Sequence, residues 1–174
     1  MRIDAKDFAL VEGGRIAVLR DLAFSLEPGS FTCLIGPSGC GKTTALRIML
    51  GLDTDHRGDV RLPSERARLA AIFQEPRLLP WRTVEQNVRL ALPPDAMPDL
   101  DALFETLGLS AMRASYPGEL SLRLARRVAL ARAFAVDPDV LLLDEPFVSL
   151  DEPVAECLRA LLLDLWRARG VTRC

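Results

Sequence analysis

Histidine is nearly absent from this chain: His56 is the only one in 174 residues. It stands in a polar turn, residues 53–58, where an exposed side chain is expected. The four cysteines, Cys33, Cys40, Cys157 and Cys174, form no C-x-x-C pair, so neither a zinc cluster nor a dithiol redox motif is encoded. They read as incidental thiols of a reducing compartment. No stretch approaches the roughly 18 consecutive apolar residues of a membrane span, so any membrane contact is expected to go through a partner. The first residues, Met1-Arg2-Ile3-Asp4-Ala5-Lys6, lack the apolar run of a secretory leader, which points to an intracellular protein. A net charge of −2 and a pI near 5.5 supply no global basic field, and no nucleic-acid partner is expected. Repeats and low-complexity tracts are missing as well.

What is present is a chain of one-domain length with an ordinary apolar content of 49%. Residues 18–26 alternate, with Leu22, Phe24 and Leu26 on one face of an expected strand. Glu27-Pro28-Gly29 is a turn. Residues 31–35 form a short apolar run that reads as a buried strand. A helix is expected over 43–52, with Leu46, Met49 and Leu50 on one side, and a second buried strand over 69–73. Residues 74–117 differ in character. Pro76, Pro80, Pro93, Pro94, Pro98 and Pro117 punctuate short helical patterns, one of them carrying Ala102, Leu103, Leu107 and Leu109. This reads as a helical insertion.

The helix expected over 121–135 has Leu124, Val128, Ala131 and Ala135 inward and Arg123, Arg126, Arg127 and Arg132 on its other faces. Residues 140–143 are a buried strand ending in Asp144-Glu145-Pro146. Asp151-Glu152-Pro153 opens a last helix, with acids at its positive end. Leu158, Leu161, Leu162, Leu165 and Trp166 form its stripe, Gly170 closes it, and a strand begins at Val171-Thr172. Strands alternating with helices imply a mainly parallel α/β sheet flanked by helices, with an antiparallel edge from the first strands.

Gly36-Pro37-Ser38-Gly39-Cys40-Gly41-Lys42-Thr43 fits G-x-x-x-x-G-K-[ST], between an expected strand and an expected helix. The glycines let backbone N–H groups curve around phosphate oxygens without side-chain clash. The helix beginning near Lys42 turns its positive end toward them. Gly36, Ser38, Gly39, Cys40, Gly41, Lys42, Thr43 and Thr44 are the candidate nucleotide contacts. Lys42 suits the β- and γ-phosphates, and the Thr43 hydroxyl suits Mg²⁺. Lys42 is one of only two lysines among 22 basic residues. The pattern therefore implies ATP and Mg²⁺ as ligands. Asp144 and Glu145 stand at the carboxyl end of a buried strand, where α/β proteins bind ligands. Asp144 is the candidate metal carboxylate and Glu145 the candidate group that polarises an attacking water. A helix-capping acid pair is the plainer alternative.

A phosphate loop alone does not choose among kinases, GTPases and ATPases. From about residue 3 to 172 the chain resembles the ATP-binding subunits of ATP-binding-cassette (ABC) transporters. Gln74, after the strand at 69–73, matches the family's Q-loop, which implies a contact to Mg²⁺ and water. The run Phe73-Gln74-Glu75-Pro76-Arg77-Leu78-Leu79-Pro80-Trp81 is similar to the branch serving nitrate, sulfonate, taurine or pyrimidine-type importers. Ser149-Leu150-Asp151 resembles the D-loop. Tyr116-Pro117-Gly118-Glu119-Leu120-Ser121 and Arg127-Val128-Ala129-Leu130-Ala131-Arg132-Ala133 resemble the signature helix and its approach. The resemblance implies a P-loop nucleoside-triphosphatase fold with a core at 1–75 and 136–174 and a helical subdomain at 76–135. It implies a homodimer that sandwiches ATP, with Ser121 reaching the partner's nucleotide in trans. It further implies membrane permease subunits, a periplasmic binding protein served indirectly, and a cytoplasmic place on the inner membrane face. DNA-repair and translation relatives usually carry paired cassettes or long coiled-coil insertions, and this chain has neither.

Three departures accompany the resemblance. The signature core reads Leu120-Ser121-Leu122-Arg123-Leu124, without the family's two glycines. Arg123 then either adds charge at the partner's nucleotide or is a solvated surface residue. The family's switch histidine follows the strand expected after Gly170, and no histidine follows His56. Slow turnover is the expectation, and a non-hydrolysing ATP-binding module or an inactive truncated subunit is the alternative. The family's adenine-stacking aromatic has Phe8 as its nearest counterpart, which also reads as a core residue of the first strand.

Overall fold

Alternating and β-branched stretches form two small sheets in the computed structural model, which describes residues 1–9, 15–93, 96, 99–148, 150–169, 172 and 173. β1 (Arg2–Ala9) pairs antiparallel with β2 (Arg15–Ala23) on one side and with β3 (Arg57–Asp59) on the other. β4 (Leu69–Ile72), β5 (Val140–Leu143) and β6 (Thr172–Arg173) run parallel in the order β4-β5-β6. The expected mixture of parallel and antiparallel strands is therefore present, with the antiparallel strands in a sheet of their own. β2 begins earlier than the alternation suggested and stops at Ala23. Phe24 and Leu26 still pack inward, beyond the last paired residue.

Helices follow the capping chemistry. α1 (Lys42–Met49) starts at Gly41 and buries Ala45, Leu46, Ile48 and Met49. α2 (Val84–Arg89) opens with a capping box, Thr83 Oγ1 accepting from Gln86 N–H while the Gln86 amide oxygen accepts from Thr83 N–H. α3 (Asp101–Thr106) places Leu103 and Phe104 inward, whereas Ala102 faces out. α4 (Leu122–Ala135) is capped by Ser121, whose hydroxyl accepts from Leu124 N–H at 3.3 Å. α5 (Glu152–Arg169) turns Leu158, Leu162 and Leu165 into the core, as its stripe requires. Phe104 and Phe134 are fully buried in the largest apolar cluster, which joins α2, α3, α4 and α5 to β4 and β5. No described helix is long and apolar enough to cross a membrane.

The segment 31–35 departs from its expected form. It is not a buried strand: Phe31 makes a single bridge and is 52% exposed, and Ile35 is 88% exposed. Both edges of β5 are taken, by β4 and by β6, so the run finds no place beside β5. Phe31 is instead steadied by an edge-to-face contact with Trp166 of α5, ring centroids 6.3 Å apart. His56 also differs from its reading, being half-buried rather than free in solvent. Gly170, Val171 and Ser149, and the side chain of Phe8, lie outside the described residues.

Candidate nucleotide-binding site

The glycine loop and the acid pair come together, although they lie far apart in the chain. β5 carries Asp144 and Glu145 at its carboxyl end, and the Asp144 N–H donates to Ile72 C=O of β4 at 2.9 Å. The Thr43 hydroxyl, in the first turn of α1, donates to Asp144 Oδ1 at 3.0 Å. Lys42 Nζ lies 3.9 Å from Glu145 Oε1 and donates to the carbonyls of Gly36 and Pro37 at 2.8 and 2.9 Å. The ammonium is thus curled into its own loop and within reach of the carboxylate.

The loop backbone requires its glycines at two positions. Gly39 and Gly41 have φ of 79° and 96°, in the left-handed region that side chains disfavour. A Cβ on Gly41 would also stand 2.6 Å from Leu19 Cδ2, so β2 itself presses on the loop. Ser38, Gly39 and Cys40 are exposed around the loop, Gly36 and Thr44 are partly covered, and Ala45 closes beneath them. A pocket of about 250 Å³ is lined by Lys42, Asp144, Glu145 and the segment 31–34.

Gln74 sits in the bend just after β4 and is exposed. Ile72 and Leu143 are register partners in the parallel ladder, so Gln74 and the acid pair leave the sheet at the same carboxyl end of their strands. Ser121 lies elsewhere, at the amino end of α4, with its hydroxyl engaged as a helix cap. Its surroundings in this chain therefore give it a structural task, whatever it does toward a partner.

The residues fit Mg²⁺–ATP. A hydroxyl and a carboxylate 3.0 Å apart are hard oxygen donors of the kind Mg²⁺ takes, and an exposed glycine loop at a helix amino end suits phosphate. Among the described residues no group of three His, Cys, Asp or Glu side chains is gathered for a metal.

Sequence reasoning missed two buried polar residues, one beside the site and one in the helical segment around Trp81. Arg126 does not face outward: it is 7% exposed and its guanidinium donates to the carbonyls of Pro146 and Val148, just after the acid pair. Burial lowers its pKa. Asn87 is fully buried, and its amide bonds to Leu79, Arg82 and Thr83, fastening the segment around Trp81. Arginine on a helix reads as solvent-facing unless the neighbour is known. A buried asparagine in an amphipathic pattern was the one signal available for the other.

Comparison with known proteins agrees with this geometry. The family model "ABC transporter" matches residues 19–148. The chain is 43% identical to the aliphatic sulfonates import ATP-binding protein SsuB of Bacillus subtilis, over 98% of this chain and 70% of that protein. It is 44% identical to SsuB 2 of Burkholderia lata, over 87% of this chain and 58% of that protein. The chain thus spans roughly three fifths to seven tenths of the length of these curated relatives. Among solved structures, the dimeric post-hydrolysis state of the ATP-binding cassette MJ0796 bound to ADP and Pi superposes with a TM-score of 0.79. That match is at 27% identity and covers 99% of this chain and 85% of that one. CbiO1 of Clostridium perfringens, part of an ABC transporter complex, shares the fold with a TM-score of 0.79 at 22% identity, over 99% of this chain and 75% of that one. The chain belongs to the ABC transporter family, with the fold of its ATP-binding P-loop ATPases.

Proposed function

We propose that this chain hydrolyses ATP to drive an ABC-type importer of a small solute, of the sulfonate kind. The observation that carries this reading is the meeting of Lys42 and Thr43 with Glu145 and Asp144 across the pocket. Residues Gly36, Ser38, Gly39, Cys40, Gly41, Lys42, Thr43 and Thr44 cradle the phosphates. Thr43 and Asp144, with Gln74 from the neighbouring strand end, would hold Mg²⁺. When bound, Mg²⁺–ATP supplies the phosphoanhydride to be broken and neutralises charge on its oxygens.

Lys42, which donates to two loop carbonyls, would donate to phosphate oxygens, which are stronger acceptors of a charged donor. Glu145 would accept a proton from water at its carboxylate. Gln74 orients the same water from the adjacent strand end. Ser121 serves the partner's nucleotide in a homodimer, and a membrane permease receives the motion. A periplasmic binding protein takes part indirectly, at the far side of the permease. The chain works on the cytoplasmic, inner face of the membrane. Residues 1–75 and 136–174 act as the core and 76–135 as the helical subdomain facing the permease. The non-hydrolysing alternative is not favoured: the relatives are import ATP-binding proteins and one structural neighbour is caught after hydrolysis.

The test is phosphate release at saturating Mg²⁺–ATP, with Glu145→Gln as the blank. Turnover in the native chain at least a hundredfold above that variant is expected, with nucleotide affinity alike in both. Equal rates overturn the assignment of Glu145.

A further inference from the structure

The acid pair is followed by a turn that needs holding. Glu145 itself has φ of 47°, a left-handed conformation that a glutamate adopts only under constraint. The turn closes through Val148 N–H to Glu145 C=O at 3.2 Å. On its sheet side, Asp144 N–H is tied to Ile72 C=O. On its other side stands Arg126. One guanidinium nitrogen donates to Pro146 C=O and the other to Val148 C=O at 2.8 Å, so the planar fork spans the turn.

Arg126 Nε is buried without a hydrogen-bond partner, and the bonds its guanidinium makes are to these two carbonyls. A guanidinium kept from water and given only backbone carbonyls serves geometry more than charge balance. Its neighbour Arg127 takes a different course, donating to Leu107 C=O at 3.0 Å, which ties α4 to the end of α3. Arg127 also reaches Cys157 Sγ of α5 at 3.5 Å, but Arg126 is the one that bonds the 145–148 turn.

We propose that Arg126 is a positioning residue for Glu145: its fork fixes the 145–148 turn and so aims the carboxylate across the pocket at the phosphate loop. The inference deepens the reading of Glu145 as the group that takes a proton from water, and rests on it. It also joins α4, whose amino end is capped by Ser121, mechanically to the site of the proton transfer. Lysine at 126 keeps the charge but reaches one carbonyl at a time. Alanine reaches neither.

The experiment compares Arg126→Lys and Arg126→Ala with the native chain, using Glu145→Gln as the blank. Phosphate release is measured across ATP concentration, affinity with a fluorescent ATP analogue, and amide hydrogen exchange along 140–150. Expected are a fall in kcat of tenfold or more for alanine and a smaller fall for lysine. KM and analogue affinity should stay within about twofold. Exchange at Val148 should quicken in the same order while the β5 amides keep their protection. Unchanged kcat or unchanged Val148 exchange in both variants overturns the proposal, as does a parallel loss of affinity and β5 protection. Should the alanine variant fail to fold, the lysine variant decides by the same criteria. If the native chain shows no turnover above the blank, the ATPase reading fails separately, and Val148 exchange still decides whether Arg126 holds the turn.

Discussion

The ammonium of Lys42 stands 3.9 Å from the carboxylate of Glu145, while donating to two carbonyls of its own loop. The cation proposed to meet phosphate and the anion proposed to meet water thus stand within ion-pair distance of one another. Lys42→Ala removes the only lysine of the loop. Affinity for a fluorescent ATP analogue should fall at least tenfold, about 1.4 kcal/mol, with the melting temperature little changed. Unaltered affinity would sink the phosphate-loop assignment.

Gly41 carries a second expectation. Its φ of 96° and the nearness of Leu19 Cδ2 leave no room for a methyl group. Gly41→Ala should cost about 1–2 kcal/mol from the backbone alone. The contact with β2 adds to this. A melting temperature lowered by several degrees, together with weakened nucleotide binding, is the expected outcome, measured by thermal denaturation with and without Mg²⁺–ATP. A variant as stable as the native chain would show that the loop relaxes without cost.

Lys6 and Asp53 join β1 to the segment after α1, Nζ to Oδ1 at 2.8 Å, and Lys6 is 3% exposed. The hydrogen bond from Lys6 holds the Asp53 carboxyl below its ordinary range, and the same bond raises Lys6. A depressed carboxyl contributes stability that is present above its unfolded value, about 3.9, and is lost as pH falls through the lower folded value. A raised lysine contributes stability that is present below about 10.4 and is lost as pH rises through its higher folded value. Asp53→Asn should therefore melt below the native chain at pH 7, and the gap should close as pH is lowered past 4. A gap that is constant from pH 7 to pH 3 would mean that the pair contributes through packing rather than charge.

Much of the site was readable from the chain because its chemistry is local. Glycine spacing, one lysine and one threonine define the loop within eight positions, and two acids end an apolar run. Helices α4 and α5 were readable from their periods and from Ser121 and Asp151-Glu152 at their starts. What escaped was decided by neighbours distant in sequence. The run 31–35 has the composition of a buried strand, but pairing depends on a free edge, which no residue within the run encodes. Arg126 differs from Arg123 and Arg127 in nothing that the sequence displays. Only the turn after β5, folded against α4, gives it carbonyls to bind.

The parallel ladder has a consequence in time. Leu69 is paired with Val140, and the chain between them makes α2, α3 and α4 around Phe104 and Phe134. Pairing strands so distant demands a long loop closure, which slows folding far more than it weakens the folded state. Local contacts within α2, α3 and α4 are therefore expected to form ahead of the β4–β5 ladder. The meeting of Asp144 with Thr43, which depends on that ladder, is then expected to come late in folding.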